Sequence, residues 1–523
     1  MNIVVIIADQ LRADHLGFSG STGVNTPNID GLAARGHTFT NAHVANPVCM
    51  PNRATIMTGR WPSAHGLRTN GLPLAWETET FSRVLRAAGW KTSAVGKLHL
   101  QPMGWPFEEY QQAEIEAVMP DAWAAAVSNY GDSFQSWEDY SRHQREVVTL
   151  PEDYYGFDDV ALTVGHGDQM SGNYVEWAKE RGLDISATAG PKNSGEVSTF
   201  WDQVYESSVP ASVHPTSYVT EQAIQRIESY SSRGENFLLY VSFPDPHHPF
   251  APPKEYFHRH DPAEVPLPES FLDAHRNSPE HIKKIIAQRG TPGEDPTMTW
   301  APTENQFRAA LAAELGSIEF IDDSVGRIVA ALESEGILDS TIIVFTADHG
   351  DLFGDHGLML KHFSHYRGVT NVPLIIVAPG GGSETHSELV SSADIAPTLL
   401  ELVGAKPLVG AQGKSLVSLM RGSEHPLHDG LMVEEDQPFG LEGLPGPVRI
   451  RTLITQEFRL TQIFGNGDEL RFVELYSLVD DPLELENLAV NPATQDFMSS
   501  ARASMLNELI RLADQSKVPF SAA

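Results

Sequence analysis

The chain is short of cysteine, of positive charge and of long apolar runs, and each shortage excludes something. One cysteine in 523 residues, Cys49, excludes an intramolecular disulfide and a thiolate metal cluster, and suits a reducing compartment. Basic residues number 36 against 69 acidic ones, a formal net charge of −33. No lysine or arginine cluster interrupts that field, which repels phosphate backbones and anionic headgroups; the reading is no nucleic acid and no membrane as partner. An anionic ligand would need a local gathering of cations. No apolar run approaches the ~18 residues that span a bilayer, and Met1–Gln10 lacks the basic n-region of a signal peptide. The expected localisation is cytoplasmic. What is plentiful is core material: 41% hydrophobic, 9% aromatic and 20% charged residues, a composition that folds.

Four short apolar runs, Ile3–Ile7, Phe237–Phe243, Thr341–Phe345 and Val372–Val377, do not alternate with polar residues. That is the pattern of strands covered on both faces. Leu311, Leu315, Ile318, Val325, Ile328 and Leu332 keep helical spacing, and Asp394-Ile-Ala-Pro-Thr398 reads as another helix with an aspartate cap. Strands alternating with helices predict an α/β fold, a large and mostly parallel central sheet flanked by helices, with functional groups beyond the carboxyl ends of the strands. The stretch from about 101 to 214 reads as an irregular insertion near the site mouth. From about Gly404 the pattern changes. Residues 448–455, 457–464 and 469–478 read as antiparallel strands, the last two joined by a Gly-Asn-Gly-Asp turn, and Phe497, Ala501, Met505, Leu509 and Leu512 mark a helix packed on a sheet. The predicted division is a large α/β domain over 1–403 and a smaller C-terminal α+β subdomain over 404–523. The insertion and the C-terminal helix are natural subunit contacts, so a homo-oligomer is expected.

The lone cysteine lies in Cys49-Met-Pro51-Asn-Arg53-Ala-Thr-Ile-Met-Thr58-Gly59, five fixed positions that chance supplies at roughly one in a few million starts. Here the sequence resembles the type I sulfatases of the alkaline phosphatase superfamily, whose C-x-P-x-R-x4-T-G signature it matches at every fixed position. The resemblance implies an alkaline-phosphatase-like fold and conversion of Cys49 to formylglycine by a formylglycine-generating enzyme. It also implies one divalent metal ion and hydrolysis of a sulfate ester. An unmodified thiol is a soft nucleophile suited to acyl transfer; a hydrated aldehyde offers one oxygen to attack sulfur and a second hydroxyl to expel sulfate. That scheme calls for a cation to acidify the diol, positive groups beside the alkoxide, a base and an acid.

Other motifs supply those parts. Asp9-Gln10 follows the first apolar run and Asp348-His349 the third; with residue 49 they resemble the family's metal site. Sulfatases often carry Asp-Asp and Asp-Asn there, whereas Asp-Gln and Asp-His occur in the related phosphonate monoester hydrolases. A less anionic donor set leaves Ca²⁺ and Mn²⁺ both open. Gly96-Lys97-Leu-His99 matches G-K-x-H and implies that Lys97 and Arg53 steady the alkoxide while His99 acts as base. Pro246-His247-His248-Pro249-Phe250 matches P-H-x-P-F, with His247 the aligned histidine and His248 the second choice; the resemblance implies that His247, with Lys361, contacts the sulfate and protonates the departing oxygen. The run from Asp348 to Lys361 follows D-H-G-x3-G-D-H-G-x3-K, in which Asp355 and His356 shape the loop. Tyr366-Arg367 departs from the family by an arginine in place of a common glutamate. Asn70, before Gly71, resembles an asparagine near the pocket of phosphonate hydrolases and reads equally as a turn residue.

Three readings follow: a sulfatase acting on aryl or alkyl sulfate monoesters; a phosphonate monoester or phosphodiester hydrolase on the same scaffold, with promiscuity between the two; and a non-catalytic anion- or metal-binding protein in which Cys49 stays a thiol.

Overall fold

The computed structural model describes residues 1–21, 23–104, 136–291, 299–423, 425–465 and 469–513, together with 113, 116 and 117. Most of the expected turn at 465–468 therefore lies outside the described residues.

Nine strands form the central sheet: β1 (Asn2–Ala8), β2 (His37–His43), β3 (Lys91–Gly96), β4 (Asp159–His166), β5 (Gln169–Gly172), β6 (Phe237–Phe243), β7 (Thr341–Ala347), β8 (Leu374–Val377) and β9 (Glu384–Ser391), in the order β5-β4-β3-β6-β1-β7-β8-β2-β9. All run parallel except β5, antiparallel to β4, and β8, antiparallel to β7 and β2. β1 lies between β6 and β7, with Ile3 opposite both Leu238 and Ile342. Its side chains serve two cores: Val4, Ile6 and Ala8 join one helical layer and Ile3, Val5 and Ile7 the other. Burial on both faces is why the run carries no polar alternation.

The helix Glu304–Ser334 covers one face. It opens with a capping box between Thr303 and Gln306 and buries Leu311, Leu315, Ile318, Val325, Ile328 and Leu332. The opposite layer includes the helices Cys49–Thr58 and Ile395–Leu402. A second sheet, β10 (Leu431–Gln437), β11 (Val448–Ile454), β12 (Phe458–Phe464) and β13 (Leu470–Ser477), is an antiparallel meander. The helix Gln495–Leu512 packs on it through Met498, Ala501, Met505 and Leu512.

Four details depart from the sequence reading. The run Val372–Val377 yields a strand only from Leu374, and an antiparallel one; Pro373 has no N–H to give a ladder. The segment 101–214 contributes β4 and β5 to the main sheet and is not wholly irregular. Asp394 stands at the N-cap of the helix Ile395–Leu402 but its side chain makes no capping bond to it; it instead accepts the Ser391 N–H in the capping box of the preceding turn, Ser392–Asp394. β10 was not foreseen, because its Glu434-Glu435-Asp436 run reads as a surface loop yet is buried.

Candidate active site

The carboxyl ends of the parallel strands meet at one rim, where open α/β sheets place their chemistry. Asp9 follows β1, Lys97 follows β3, His166 ends β4, His247 follows β6 and Asp348 follows β7. Beyond β2 the chain enters the helix Cys49–Thr58, every residue of which is buried. Cys49 opens that helix and Arg53 stands one turn on, which points both side chains into the same space.

Around the Cys49 sulfur lie Lys361 Nζ at 3.0 Å, His349 Nε2 at 3.1 Å and Asp9 Oδ1 at 3.9 Å. The Arg53 guanidinium donates from Nε to Asp348 Oδ2 (2.7 Å) and from Nη1 to the Lys97 carbonyl (2.7 Å) and Ser242 Oγ (2.8 Å). Its Nη2 is buried without a hydrogen-bond partner, 3.7 Å from Asp9. Lys97 donates to Asp9 Oδ2 and lies 2.9 Å from His166 Nε2. Lys361 Nζ also lies 2.9 Å from both His247 Nε2 and His349 Nε2, and 3.5 Å from Gln10 Oε1. The structure thus gathers Asp9, Gln10, Cys49, Arg53, Lys97, His247, Asp348, His349 and Lys361 into one contact network. His99 and Asn70 line the adjoining cavity of about 510 Å³, with Asn70 Oδ1 accepting the Met50 N–H at 3.2 Å. A larger cleft, about 680 Å³ around Arg12, Phe18 and Arg367, lies elsewhere and contains none of these residues.

The tautomers follow from the partners. His247 Nδ1 lies 2.6 Å from the His248 carbonyl and His349 Nδ1 lies 2.7 Å from the Gly350 carbonyl. A carbonyl only accepts, so both rings carry their proton on Nδ1 and turn the Nε2 lone pair inward. For His349 this is the orientation that outer carbonyls impose on a metal ligand. Single ligand atoms of Asp9, Cys49, Asp348 and His349 all lie within 4.8 Å of one another, and the buried Gln10 amide nitrogen has no partner. Two carboxylates, an amide and an imidazole fit a divalent cation.

Burial pushes the Cys49 thiol up, but the Lys361 and Lys97 ammoniums overcome it and bring it down to about 7. Against the same burial, Lys97 and Arg53 hold the Asp9 carboxyl well below its usual range. Burial, reinforced by Lys97 and Arg53, keeps His99 neutral; burial, with His166 and Lys361, does the same for His247. Three buried cations thus face two buried carboxylates: the local positive charge that the acidic chain otherwise lacks.

The backbone here is held in costly conformations. Gln10 (φ 63°) and His99 (φ 52°) are left-handed, and Lys361 sits between Leu360 (φ 68°) and His362 (φ 85°). Carboxylates hold two of these residues in place. The Gln10 N–H donates to Asp348 Oδ1 (3.1 Å) and the His99 N–H to Glu138 Oε2 (2.6 Å).

Sequence reasoning missed His166, Ser242 and Glu138. His166 stacks on His247 at 4.0 Å between ring centroids, and His247 in turn on His248 at 4.2 Å. Its only signal was a histidine between two glycines at the end of a short apolar stretch, Val160–Val164.

The Sulfatase family profile matches residues 1–405, and one described as N-sulphoglucosamine sulphohydrolase, C-terminal, matches 354–513. An arylsulfatase of Clostridium perfringens is 27% identical over 97% of this chain and 94% of its own length. A choline-sulfatase of Rhizobium meliloti is 25% identical over 94% of this chain and 83% of its own. Among solved structures, a phosphonate monoester hydrolase from Silicibacter pomeroyi superposes with a TM-score of 0.76 at 22% identity, covering 98% of this chain and 96% of that one, a likeness of fold. With a profile spanning most of its length and a solved fold to match, the chain belongs to the sulfatase family of hydrolases, on the alkaline-phosphatase-like scaffold.

Proposed function

We propose that this enzyme hydrolyses sulfate monoesters of uncharged aryl or alkyl alcohols through a formylglycine made from Cys49, with one divalent cation at Asp9, Gln10, Asp348 and His349. The observation that carries the reading is the ring of Lys361, His349 and Asp9 around residue 49 in the cavity lining, with Arg53 bonded to Asp348 beside it. Hydrated formylglycine at position 49 would supply the attacking oxygen, and a cation held by Asp9, Gln10, Asp348 and His349 would supply Lewis-acid polarisation. The rest is done by side chains. Lys97 and Arg53 stabilise negative charge at residue 49, where Lys361 and Lys97 already acidify the thiol. His99, neutral and with Nδ1 unpartnered, is the base. The one N–H of His247 is engaged in a hydrogen bond to the His248 carbonyl, so the proton for the departing alcohol is held at Lys361 Nζ, with His247 Nε2 beside it to orient the group.

The described cavity wall includes Met50, Pro102, Met103 and Pro249, and among the described residues that line it there is no carboxylate and no cation besides Lys361. An uncharged leaving alcohol suits that wall. Gln10 and His349 favour a second activity, on phosphonate monoesters, at the same site.

The test is the mass of the tryptic peptide Gly36–Arg53 from protein made with a formylglycine-generating enzyme, followed by kcat/KM for matched aryl sulfate and aryl phosphonate esters. The lighter aldehyde or its hydrate, with sulfate preferred, is the expected result. A persistent thiol refutes the formylglycine mechanism; a large phosphonate preference reverses the order of the two activities. Activity that survives chelation refutes the metal assignment.

A further inference from the structure

At the far end of the same sheet, the amino ends of β2 and β9 bring together a second group of metal-binding side chains. His37 begins β2 and pairs in register with Glu384, the first residue of the edge strand β9; Phe39 pairs with His386. Residues 37, 384 and 386 share one face of that ladder. His37 Nδ1 lies 2.9 Å from His386 Nε2, and with Glu384 one ligand atom from each of the three falls within 4.8 Å of the others. Both imidazoles are buried; Glu384 is exposed.

The rings are fixed from outside. Phe39 stacks on His386 (centroids 4.8 Å apart, 19° between planes). Gly382 lies so close to His37 that a Cβ there would stand 2.8 Å from Nε2. Glu388 Oε2, 4.0 Å from His386 Nδ1, places a carboxylate on the outer side of that ring.

We propose that His37, His386 and Glu384 form a binding site for a borderline-soft transition cation, with Zn²⁺ the natural occupant and water completing its coordination. Two imidazoles and one carboxylate suit zinc, whereas the oxygen-rich site at the catalytic rim suits a harder ion. In the metal-free pair one ring donates its proton to the other. With the ion bound, both inner nitrogens offer lone pairs and the two protons sit on the outer nitrogens, so a neutral pair binds without releasing a proton. The ion would tie the last strand of the sheet to its neighbour, where only one side of the backbone ladder is paired. A seven-residue strand, about 23 Å long, separates this site from the rim, so occupancy and catalysis are separable.

The test is Zn²⁺ titration of the full-length protein with saturating Ca²⁺ present, comparing wild type with His37→Ala, His386→Ala and Glu384→Gln. Wild type is expected to bind one Zn²⁺ equivalent more than either histidine variant and to rise in Tm on adding Zn²⁺, an increase the variants lack. Glu384→Gln, at an exposed position that folding tolerates, is expected to weaken that equivalent by about tenfold or more while arylsulfate turnover in Ca²⁺ stays at the wild-type level. Equal stoichiometry and affinity in wild type and Glu384→Gln, or an identical Tm response in all four proteins, overturns the site.

Discussion

The catalytic rim and the four-stranded C-terminal sheet both bury charge, and they treat it differently. In the small sheet Arg459 is held by Glu484 and Glu474 and lies over the rings of Tyr366 and Tyr476 at 4.9 and 4.7 Å, while Arg451 donates to Asp436 at 2.7 Å. Among the described residues from 404 on, Glu484 alone of the non-glycines has a left-handed backbone. At the rim, Gln10, His99, Leu360 and His362 are left-handed; unpartnered buried atoms occur in both regions, Arg53 Nη2, His99 Nδ1 and Gln10 Nε2 at the rim and Arg459 Nη2 in the small sheet. Charge that stabilises a fold is neutralised where it stands. Charge that meets a substrate is held in a strained frame.

The contrast can be broken by substitution. Arg459→Met should cost roughly 3–5 kcal/mol of unfolding free energy, because two buried carboxylates lose their partner, while turnover per folded molecule is retained; urea unfolding and active-site titration measure both. Lys361→Met at the rim should do the reverse, lowering kcat/KM about 10²- to 10³-fold with little change in Tm. A rim variant that lost stability and kept activity would erase the distinction.

Glu138 sharpens it, since it anchors the His99 backbone from behind. Burial raises its carboxyl to about 7 against the donated bonds from Tyr154, His99 and Leu100. A raised folded-state value means that this stability is complete below pH 4.5 and is lost as pH climbs towards 7, at most about 3 kcal/mol. Glu138→Gln should abolish that slope, so its stability relative to wild type improves between pH 4.5 and 8, as read by denaturant midpoints. The smallest effect is expected at His166. Replacement by Phe keeps a ring against His247 and removes the acceptor for Lys97, which should lower kcat about tenfold, the lower end for a hydrogen bond to a charged group, and leave KM near its wild-type value.

What the sequence made legible follows the same division. β1, β6 and β7 stood out because both faces are buried, and the residues of the rim stood out because each sits in a motif of fixed spacing just past a strand. β4 and β5 were hidden by a half-exposed edge and by Gly165, Gly167 and Gly172. β10 was hidden by acids whose partners come from remote parts of the chain: Glu434 from Ser63, Glu435 from His365, Asp436 from Arg451. His37 and His386 carry no local signature, because pairing of β2 with β9, and no spacing along the chain, makes them neighbours, and His166 carries only its two flanking glycines.

The position of β1 sets an order of events. β1, the centre of the sheet, is made before its two partners, β6 and β7, which leave the ribosome only after residues 243 and 347. Cys49, 2% exposed once the fold closes, stays accessible on the nascent chain until then, roughly 15 to 60 s at ordinary rates of synthesis. The topology thus opens a waiting period around this one side chain, and chemistry that needs to reach its sulfur has that interval in which to act.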